Sequence, residues 1–330
     1  MWIWMLAKKK TNYEGERLKT SGIELYFIIN PVAQNEGSGR VWKKMERVLA
    51  SKNISYQSFF TEYKGHAKEL SEEILAKTDK DTLIAAVGGD GTLHEVMNGA
   101  AGYPHAIIAC IPAGSGNDYV RGIQRTKNCR DALSLIMQPE NYIKEIDIGI
   151  LETNAADAAF INSVGIGIDA EITYDVNHSA WKILFNFFKI GKLIYIYFFL
   201  KKLFTYKRTD MAAFIDGKEH VFKRVWFIVA ANQPYFGGGI NISPKSRHDD
   251  SLFEVIAVHD IPTIKLLSVF VTVLWGGHLR LKNVDSFTCR HIEIISADPV
   301  RIQADGEILG DTKLSAFIAP NKIRVLTRGK

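Results

Sequence analysis

The chain has 330 residues, 47% hydrophobic and 23% charged, with a formal net charge of +5. That is enough for two globular domains with separate cores, and it excludes a disordered or fibrous chain. The mild basic excess suits an anionic nucleotide or an anionic membrane face and makes no case for nucleic acid, while the widely spaced Cys110, Cys129 and Cys289 offer neither a disulfide framework nor a zinc spacing and point to the cytoplasm.

At the amino terminus, Met1-Trp2-Ile3-Trp4-Met5-Leu6 precedes Lys8-Lys9-Lys10, the reverse of a secretory signal. Residues 1–20 read as a flexible extension whose apolar end is a candidate interfacial anchor. Residues 25–29 form a fully apolar run ending in Asn30-Pro31, the pattern of a buried parallel strand. Helical spacing follows over 39–52 (Val41, Met45, Val48, Leu49), then a strand over 56–61 and a helix over 67–77 with Leu70, Ile74 and Leu75 inward. Residues 83–87 are a third strand, 92–100 a helix and 106–111 a fourth strand. Strands alternating with helices at this rhythm predict a parallel α/β domain, taken as residues 21–147.

Beyond about residue 147 the rhythm changes. Strand-like runs at 158–163, 211–216, 225–231, 252–259, 291–296 and 300–304 follow one another between turn residues, which predicts an antiparallel β-sandwich over 148–315. Two helical insertions interrupt it, at 181–204 and 262–274. The first, WKILFNFFKIGKLIYIYFFLKKLF, is apolar with lysines along its edges and reads as an interfacial helix for anionic lipid. No stretch reaches the roughly 18 uninterrupted apolar residues of a membrane span.

Three loops after strands carry the chemistry. In Val87-Gly88-Gly89-Asp90-Gly91-Thr92-Leu93 a strand ends, glycines admit close approach of a ligand to the backbone, and a helix amino terminus presents N–H groups to an anion. Asp90 stands where a carboxylate holds magnesium beside phosphates. Ile111-Pro112-Ala113-Gly114-Ser115-Gly116-Asn117-Asp118 repeats this after the next strand, and Asn30 to Arg40 offers a third Gly/Ser-rich loop. Neighbouring loops at the carboxyl edge of one sheet are where open α/β folds bind ligands. No G-x-x-x-x-G-K-[ST] is present, and both Gly-rich loops lack the last glycine of the dinucleotide motif, so P-loop and dehydrogenase readings fail.

These loops resemble those of the diacylglycerol kinase catalytic-domain family, whose relatives include sphingosine and ceramide kinases. Gly88-Gly89-Asp90-Gly91-Thr92 matches its Gly-Gly-Asp-Gly-Thr loop, and Pro112 to Asp118 its Pro-x-Gly-Thr-x-Asn-Asp, with Ser115 for Thr. Thr61 to Ala67 resembles Thr-x-x-x-x-His-Ala, Asp305-Gly306-Glu307 resembles Asp-Gly-Glu, and Asp250 to Val255 resembles Asp-Gly-x-Leu-Asp-Val. The resemblance implies a three-layer, phosphofructokinase- or NAD-kinase-like first domain, with residues 316–330 returning to complete it. It implies ATP and Mg²⁺, with nucleotide contacts at Asn30, Pro31, Gly37, Thr61, Gly88, Gly89, Asp90, Gly91, Thr92, Leu93, His94, Gly114, Ser115 and Asn117. Glu307 is the implied proton acceptor with Asp90 its rival, Asp90 also holding metal, and Asp250 with the Leu252 carbonyl is the implied structural magnesium site. The first loop is longer than the family pattern, through residues 34–36, while Ser251 replaces a glycine and Arg247 stands where a metal ligand is expected. The expected activity is transfer of the ATP γ-phosphate to a lipid hydroxyl at an anionic membrane surface, diacylglycerol first. Another lipid kinase, an NAD-kinase-like enzyme and a non-enzymatic regulator remain as alternatives, and a homodimer is allowed.

Overall fold

The computed structural model describes residues 11–13, 22–33, 37–114, 116–179 and 191–329. It divides into two compact units, Met1–Ile146 with Lys322–Lys330, and Asp147–Asn321. The segment that returns to the first unit is therefore shorter than the 316–330 expected.

The first unit is built on strands Thr11–Tyr13 (β1), Glu24–Ile29 (β2), Tyr56–Phe60 (β3), Thr82–Gly88 (β4), Ala106–Pro112 (β5) and Ile143–Ile146 (β6), joined late in the chain by Ile323–Leu326 (β20). The order is β1-β3-β2-β4-β5-β20-β6, parallel from β3 to β20 with antiparallel edges. β1 corrects one expectation, because Thr11–Tyr13 pairs with β3 instead of belonging to a flexible extension. The rest of residues 1–20, including the candidate anchor, lies outside the described residues. β4 is buried along its whole length, as a central strand covered on both faces must be.

Helices Gly37–Ser51 (α1) and Cys129–Ile136 (α4) cover one face of the sheet. Trp42, Met45 and Leu49 of α1 lie at helical spacing and join Phe27, Leu83, Ala85 and Ile107 in one core. Trp42 meets Phe27 at 4.9 Å and Tyr56 at 5.7 Å between ring centroids. His66–Leu75 (α2) and Asp90–Ala100 (α3) pack against each other and the sheet's other face. They approach closely at Gly99, where a Cβ would fall 2.4 Å from the Lys68 carbonyl oxygen.

The second unit is an eleven-stranded antiparallel sheet. Gly149–Thr153 (β7), Asp157–Phe160 (β8), Ser163–Gly167 (β9), Thr209–Ile215 (β10), Lys218–Ala231 (β11), Phe253–His259 (β14), Val284–Cys289 (β15), His291–Ser296 (β16), Arg301–Ala304 (β17), Glu307–Asp311 (β18) and Lys313–Ile318 (β19) form it, with Tyr235–Phe236 (β12) and Ile240–Asn241 (β13) as a separate pair. The main path runs β18-β17-β9-β11-β10-β16-β19-β7-β8. The sheet wraps on itself, because Thr153 Oγ1 of β7 donates to the Leu309 carbonyl of β18 at 2.6 Å. Phe160, Ile228, Phe253, Ile292 and Ile302 fill the interior.

Helices Ile168–His178 (α5), Gly191–Thr205 (α6) and Thr263–Thr272 (α7) form a second core on another face, with Ile172, Phe199, Leu266 and Val269 packed around Trp226 and Ile256. The run at 158–163 proves to be two strands, β8 and β9, turned at Ile161-Asn162. α5 is an element the sequence reading lacks: its β-branched Ile168, Ile172, Thr173 and Val176 carry no strong helical propensity, and no Ser, Thr, Asn or Asp N-cap separates it from β9. Of the insertion at 181–204, residues 180–190 lie outside the description and α6 accounts for the remainder. No described helix is long and apolar enough to cross a membrane.

Candidate functional site

In the first unit, hydrogen bonds and backbone contact join the three loops at the ends of β2, β4 and β5. Asn30 follows β2 directly; its N–H donates to the Val87 carbonyl at 3.0 Å and its Nδ2 to Thr92 Oγ1 at 3.2 Å. The turn at Pro31 is closed by Val32 N–H donating to Asn30 Oδ1 and by buried Ser38, whose hydroxyl donates to the Asn30 carbonyl. Gly37 opens α1, and Thr61 N–H donates to the Ile29 carbonyl at 2.9 Å, one residue before Asn30.

Only Gly89 separates β4 from α3. A Cβ on Gly88 would fall 2.4 Å from Thr92 Oγ1, and one on Gly114 would fall 2.4 Å from the Gly89 Cα. The two Gly-rich loops therefore touch backbone to backbone, which no residue with a side chain permits at Gly114. Ala113 N–H donates to the Gly88 carbonyl at 2.8 Å, and Tyr119 N–H donates to Asp90 Oδ1 at 3.4 Å. Asn117, at φ 54°, closes its loop with Nδ2 donating to the Gly114 carbonyl at 2.8 Å and Oδ1 accepting from Gly114 N–H at 3.2 Å. Asp90, Gly91 and Thr92 make the first turn of α3. This places Asn30, Thr61, Gly88, Gly89, Asp90, Thr92, Gly114 and Asn117 at adjoining strand ends. Leu93 and His94 are buried, with His94 Nε2 3.3 Å from Asn98 Nδ2, so their side chains serve the helix packing. Ser115 lies outside the described residues.

Three supports of these loops left no motif. Arg121 donates to Asp118 Oδ1 at 2.7 Å and to the Gly116 carbonyl at 3.2 Å, bracing the second loop. Glu95 accepts from Ala67 N–H at 3.1 Å at the start of α2. Behind the second loop, the chain makes a π-helical turn over Val120–Gln124, a local widening found often near functional sites. Buried Gln124 inserts its amide beside β5, accepting from Cys110 N–H and donating to the Cys110 carbonyl, both at 2.7 Å. The carboxyl-terminal segment pins that turn: Thr327 Oγ1 donates to the Ile123 carbonyl at 2.5 Å and Arg328 N–H to the Gln124 carbonyl at 3.3 Å.

One carboxylate at a helix amino terminus, Asp90 at the start of α3, fits magnesium, which binds through one or two carboxylates plus substrate phosphates. At the second expected metal position the acidic side chains carry hydrogen bonds and an ion pair within the chain. Leu252 N–H donates to Asp250 Oδ1 at 3.2 Å, Arg247 pairs with Asp249 at 2.9 Å, and Ser251 N–H donates to Asp147 Oδ2 at 2.6 Å. No group of three or more His, Cys, Asp or Glu comes together among the described residues. Ser251 adopts φ 60°, the left-handed backbone for which the family pattern has glycine.

In the second unit, Asp305 and Gly306 are the two turn residues of the β17–β18 hairpin, both left-handed at φ 49° and 91° as a type I′ turn demands. Asp305 does more than turn the chain: its carboxylate accepts from the backbone N–H groups of Ile161 and Asn162 at 2.8 Å and of Ser163 at 3.1 Å. That lashes the hairpin to the β8–β9 turn and sets Glu307, half-buried, at the head of β18.

Beneath α5, α6 and α7 lies a cleft of about 100 Å³ lined by Ile168, Ile172, Phe199, Phe227, Leu266 and Phe270 among others. Its one carboxylate is Asp169, 6% exposed. Asp169 Oδ2 accepts from Gln303 Nε2 at 3.2 Å, while Oδ1 has no hydrogen-bond partner. Burial pushes its pKa up to about 6. A Cβ on Gly165 would sit 2.1 Å from Asp169 Oδ2, so glycine there leaves the room the carboxylate occupies. Gln303 also accepts from Gly306 N–H at 3.0 Å, tying the buried carboxylate to the turn that carries Glu307.

Residues 24–151 match the family model of the diacylglycerol kinase catalytic domain, and residues 162–327 that of the YegS C-terminal NAD kinase β-sandwich-like domain. The chain is 28% identical over 305 residues to the Bacillus subtilis protein named "Putative lipid kinase YtlR", covering 92% of this chain and 99% of that one. It is 24% identical over 266 residues to a diacylglycerol kinase of Mycobacterium tuberculosis, covering 79% and 82%. Among solved structures, "a putative diacylglycerol kinase from Bacillus anthracis str. Sterne" superposes with a TM-score of 0.71 at 21% identity, covering 92% of this chain and 97% of that one.

Proposed function

This chain belongs to the family that joins a diacylglycerol kinase catalytic domain to a YegS-type, NAD kinase-like β-sandwich, and on that premise we propose that it transfers the γ-phosphate of ATP to a lipid hydroxyl, diacylglycerol first. The observation that carries the lipid acceptor is the cleft under α5, α6 and α7. Its lining is apolar but for Thr173, Tyr195 and Asp169, whose Oδ1 is buried without a hydrogen-bond partner, which suits an acyl body and one hydroxyl donor.

Phosphoryl transfer asks the protein mainly for position and charge neutralisation. Backbone N–H groups of the Gly88 to Thr92 loop at the start of α3 hold the phosphates, with the loops at Asn30 and Gly114 flanking them. Asp90 is the residue that would hold a magnesium ion, which when bound neutralises charge on the β and γ phosphates. The acceptor oxygen attacks the γ-phosphorus, the bond to the ADP oxygen breaks, and the hydroxyl proton passes to the Glu307 carboxylate. Asp169 orients the acceptor hydroxyl and does not need to exchange its proton.

The test is labelled ATP with micelles of diacylglycerol, sphingosine or ceramide, and with NAD in buffer. Label is expected in the diacylglycerol product, and Glu307→Gln is expected to cut turnover by about 10²–10⁴-fold with ATP affinity held. Label in the NAD product alone overturns the lipid reading.

A further inference from the structure

We infer that the outer faces of α6 and α7 are the surface by which this protein lies on an anionic lipid bilayer. The inference rests on the lipid-kinase reading and names the partner from which the cleft is filled. On α6, Tyr197, Leu200 and Phe204 are 50%, 45% and 75% exposed, and at i, i+3 and i+7 they share one face. On α7, Ile264 and Val271, seven residues apart, are 78% and 51% exposed, and Trp275 in the turn that follows is 64% exposed. A soluble protein scatters such residues singly; two neighbouring helices that each expose a row mark an interaction surface.

Charge selects the occupant. No Asp or Glu occurs between Asp175 and Asp210, nor between Asp260 and Asp285, so both helices and their flanks are free of acid. The basic residues of these stretches include Lys201, Lys207, Lys265, Arg280 and Lys282, all exposed. Lys202 and Arg208 are drawn inward, Lys202 to 2.9 Å from Glu171 and 3.4 Å from Asp175, and Arg208 to the Ile261 carbonyl at 2.9 Å. Aromatic and aliphatic side chains bordered by exposed cations, of which Lys207 reaches Asp298 at 3.6 Å, suit an acyl boundary beneath anionic headgroups.

The other faces of the same helices line the cleft: Tyr195 and Phe199 from α6, Leu266, Val269 and Phe270 from α7. Phe199 and Phe270 stack at 4.4 Å and 17°, joining the helices over it. A lipid leaving a bilayer docked on α6 and α7 thus enters apolar surroundings without crossing water.

The experiment sediments the full chain, without ATP, with vesicles of phosphatidylglycerol and phosphatidylcholine or of phosphatidylcholine alone. Wild type is expected to partition at least tenfold better onto the anionic vesicles. Phe204→Ser with Trp275→Ser is expected to lose that binding, and Lys201→Glu with Lys265→Glu to lose the preference for anionic lipid. None of the four lines the cleft, so both variants should phosphorylate a water-soluble short-chain diacylglycerol at the wild-type rate. Absence of turnover by wild type on that substrate speaks against the kinase reading; vesicle binding is measured apart from it. Failure of wild type to sediment, or variants that sediment unchanged, overturns the docking surface. So does light scattering that shows a wild-type dimer dissociated by the Phe204 and Trp275 changes, which would make this face a contact between copies.

Discussion

The two units present their functional groups by opposite means. The first makes its candidate phosphate cradle from backbone: glycines at 88, 89 and 114 let adjoining strand ends touch, and few side chains take part. The second makes its candidate acceptor site from side chains, an apolar wall and one buried carboxylate drawn from distant segments. A phosphate is the same in every substrate and is met by N–H groups that any sequence carries, provided the chain can bend to aim them. An acceptor lipid differs between enzymes and is met by shape and a single polar partner.

The change expected to have the largest effect attacks the backbone half. Gly114→Ala puts a methyl group 2.4 Å from the Gly89 Cα, so one loop must move. Displacement of about 1 Å at such a site costs on the order of 10²–10³ in kcat/KM. Calorimetry with Mg-ATP should record the loss while circular dichroism stays at the wild-type signal. Retained nucleotide affinity would mean that contact of the two loops is not what shapes the cradle.

This division also decides what could be read beforehand. Gly88-Gly89-Asp90-Gly91 and Gly114 to Asn117 are contiguous, and their glycines announce the backbone geometry they serve, as Asp305-Gly306 announces a tight hairpin. Ile168, Phe199, Phe227 and Leu266 come from four segments across about a hundred residues, and each reads alone only as apolar packing. Asp169 lay unnoticed in Gly165-Ile166-Gly167-Ile168-Asp169; the small residue at 165 was the one available hint that a side chain needed its space. By sequence Asp305 is an acid of the Asp-Gly-Glu pattern, whereas its three accepted N–H bonds come from residues more than 140 positions earlier. Strands of the first unit are legible because continuous apolar runs have one meaning there; α5 is not, because it follows β9 directly at Gly167 with no capping residue to mark the change.

The next test addresses the side-chain half. Asp169 titrates at about 6 in the folded chain because burial disfavours its charge, against 3.8 for the ordinary carboxyl. The folded state therefore holds its proton longer than the unfolded state. Its contribution to stability is complete below about pH 4 and is lost as pH rises through 6, reaching about 2–3 kcal/mol on the linkage relation. Asp169→Asn removes that slope, so urea midpoints of the two proteins should converge at pH 4 and separate in favour of the variant at pH 7.5. The same substitution should raise KM for the lipid and leave KM for ATP alone. Parallel midpoints at all pH values would place the carboxylate in contact with water, and a changed KM for ATP alone would erase the contrast between the units.

The smallest effect expected is also the finest probe of the backbone half, since it touches no loop residue. Thr327 donates its hydroxyl to the Ile123 carbonyl inside the π-helical turn, and the neighbouring Gln124 amide holds Cys110 two residues before Pro112. Thr327→Val keeps the shape and leaves that buried carbonyl unpaired, at about 1 kcal/mol of stability. If the turn only fills space, nothing else changes. If it holds the second loop in register against Gly89, KM for ATP rises about threefold to fivefold with kcat and lipid KM unmoved, because a loop free to drift loses affinity for phosphate before it loses chemistry. Thr327→Ser, which restores the hydroxyl, should return KM to the wild-type value. Equal KM for ATP in all three proteins would confine the cradle's supports to the loops themselves and to Arg121.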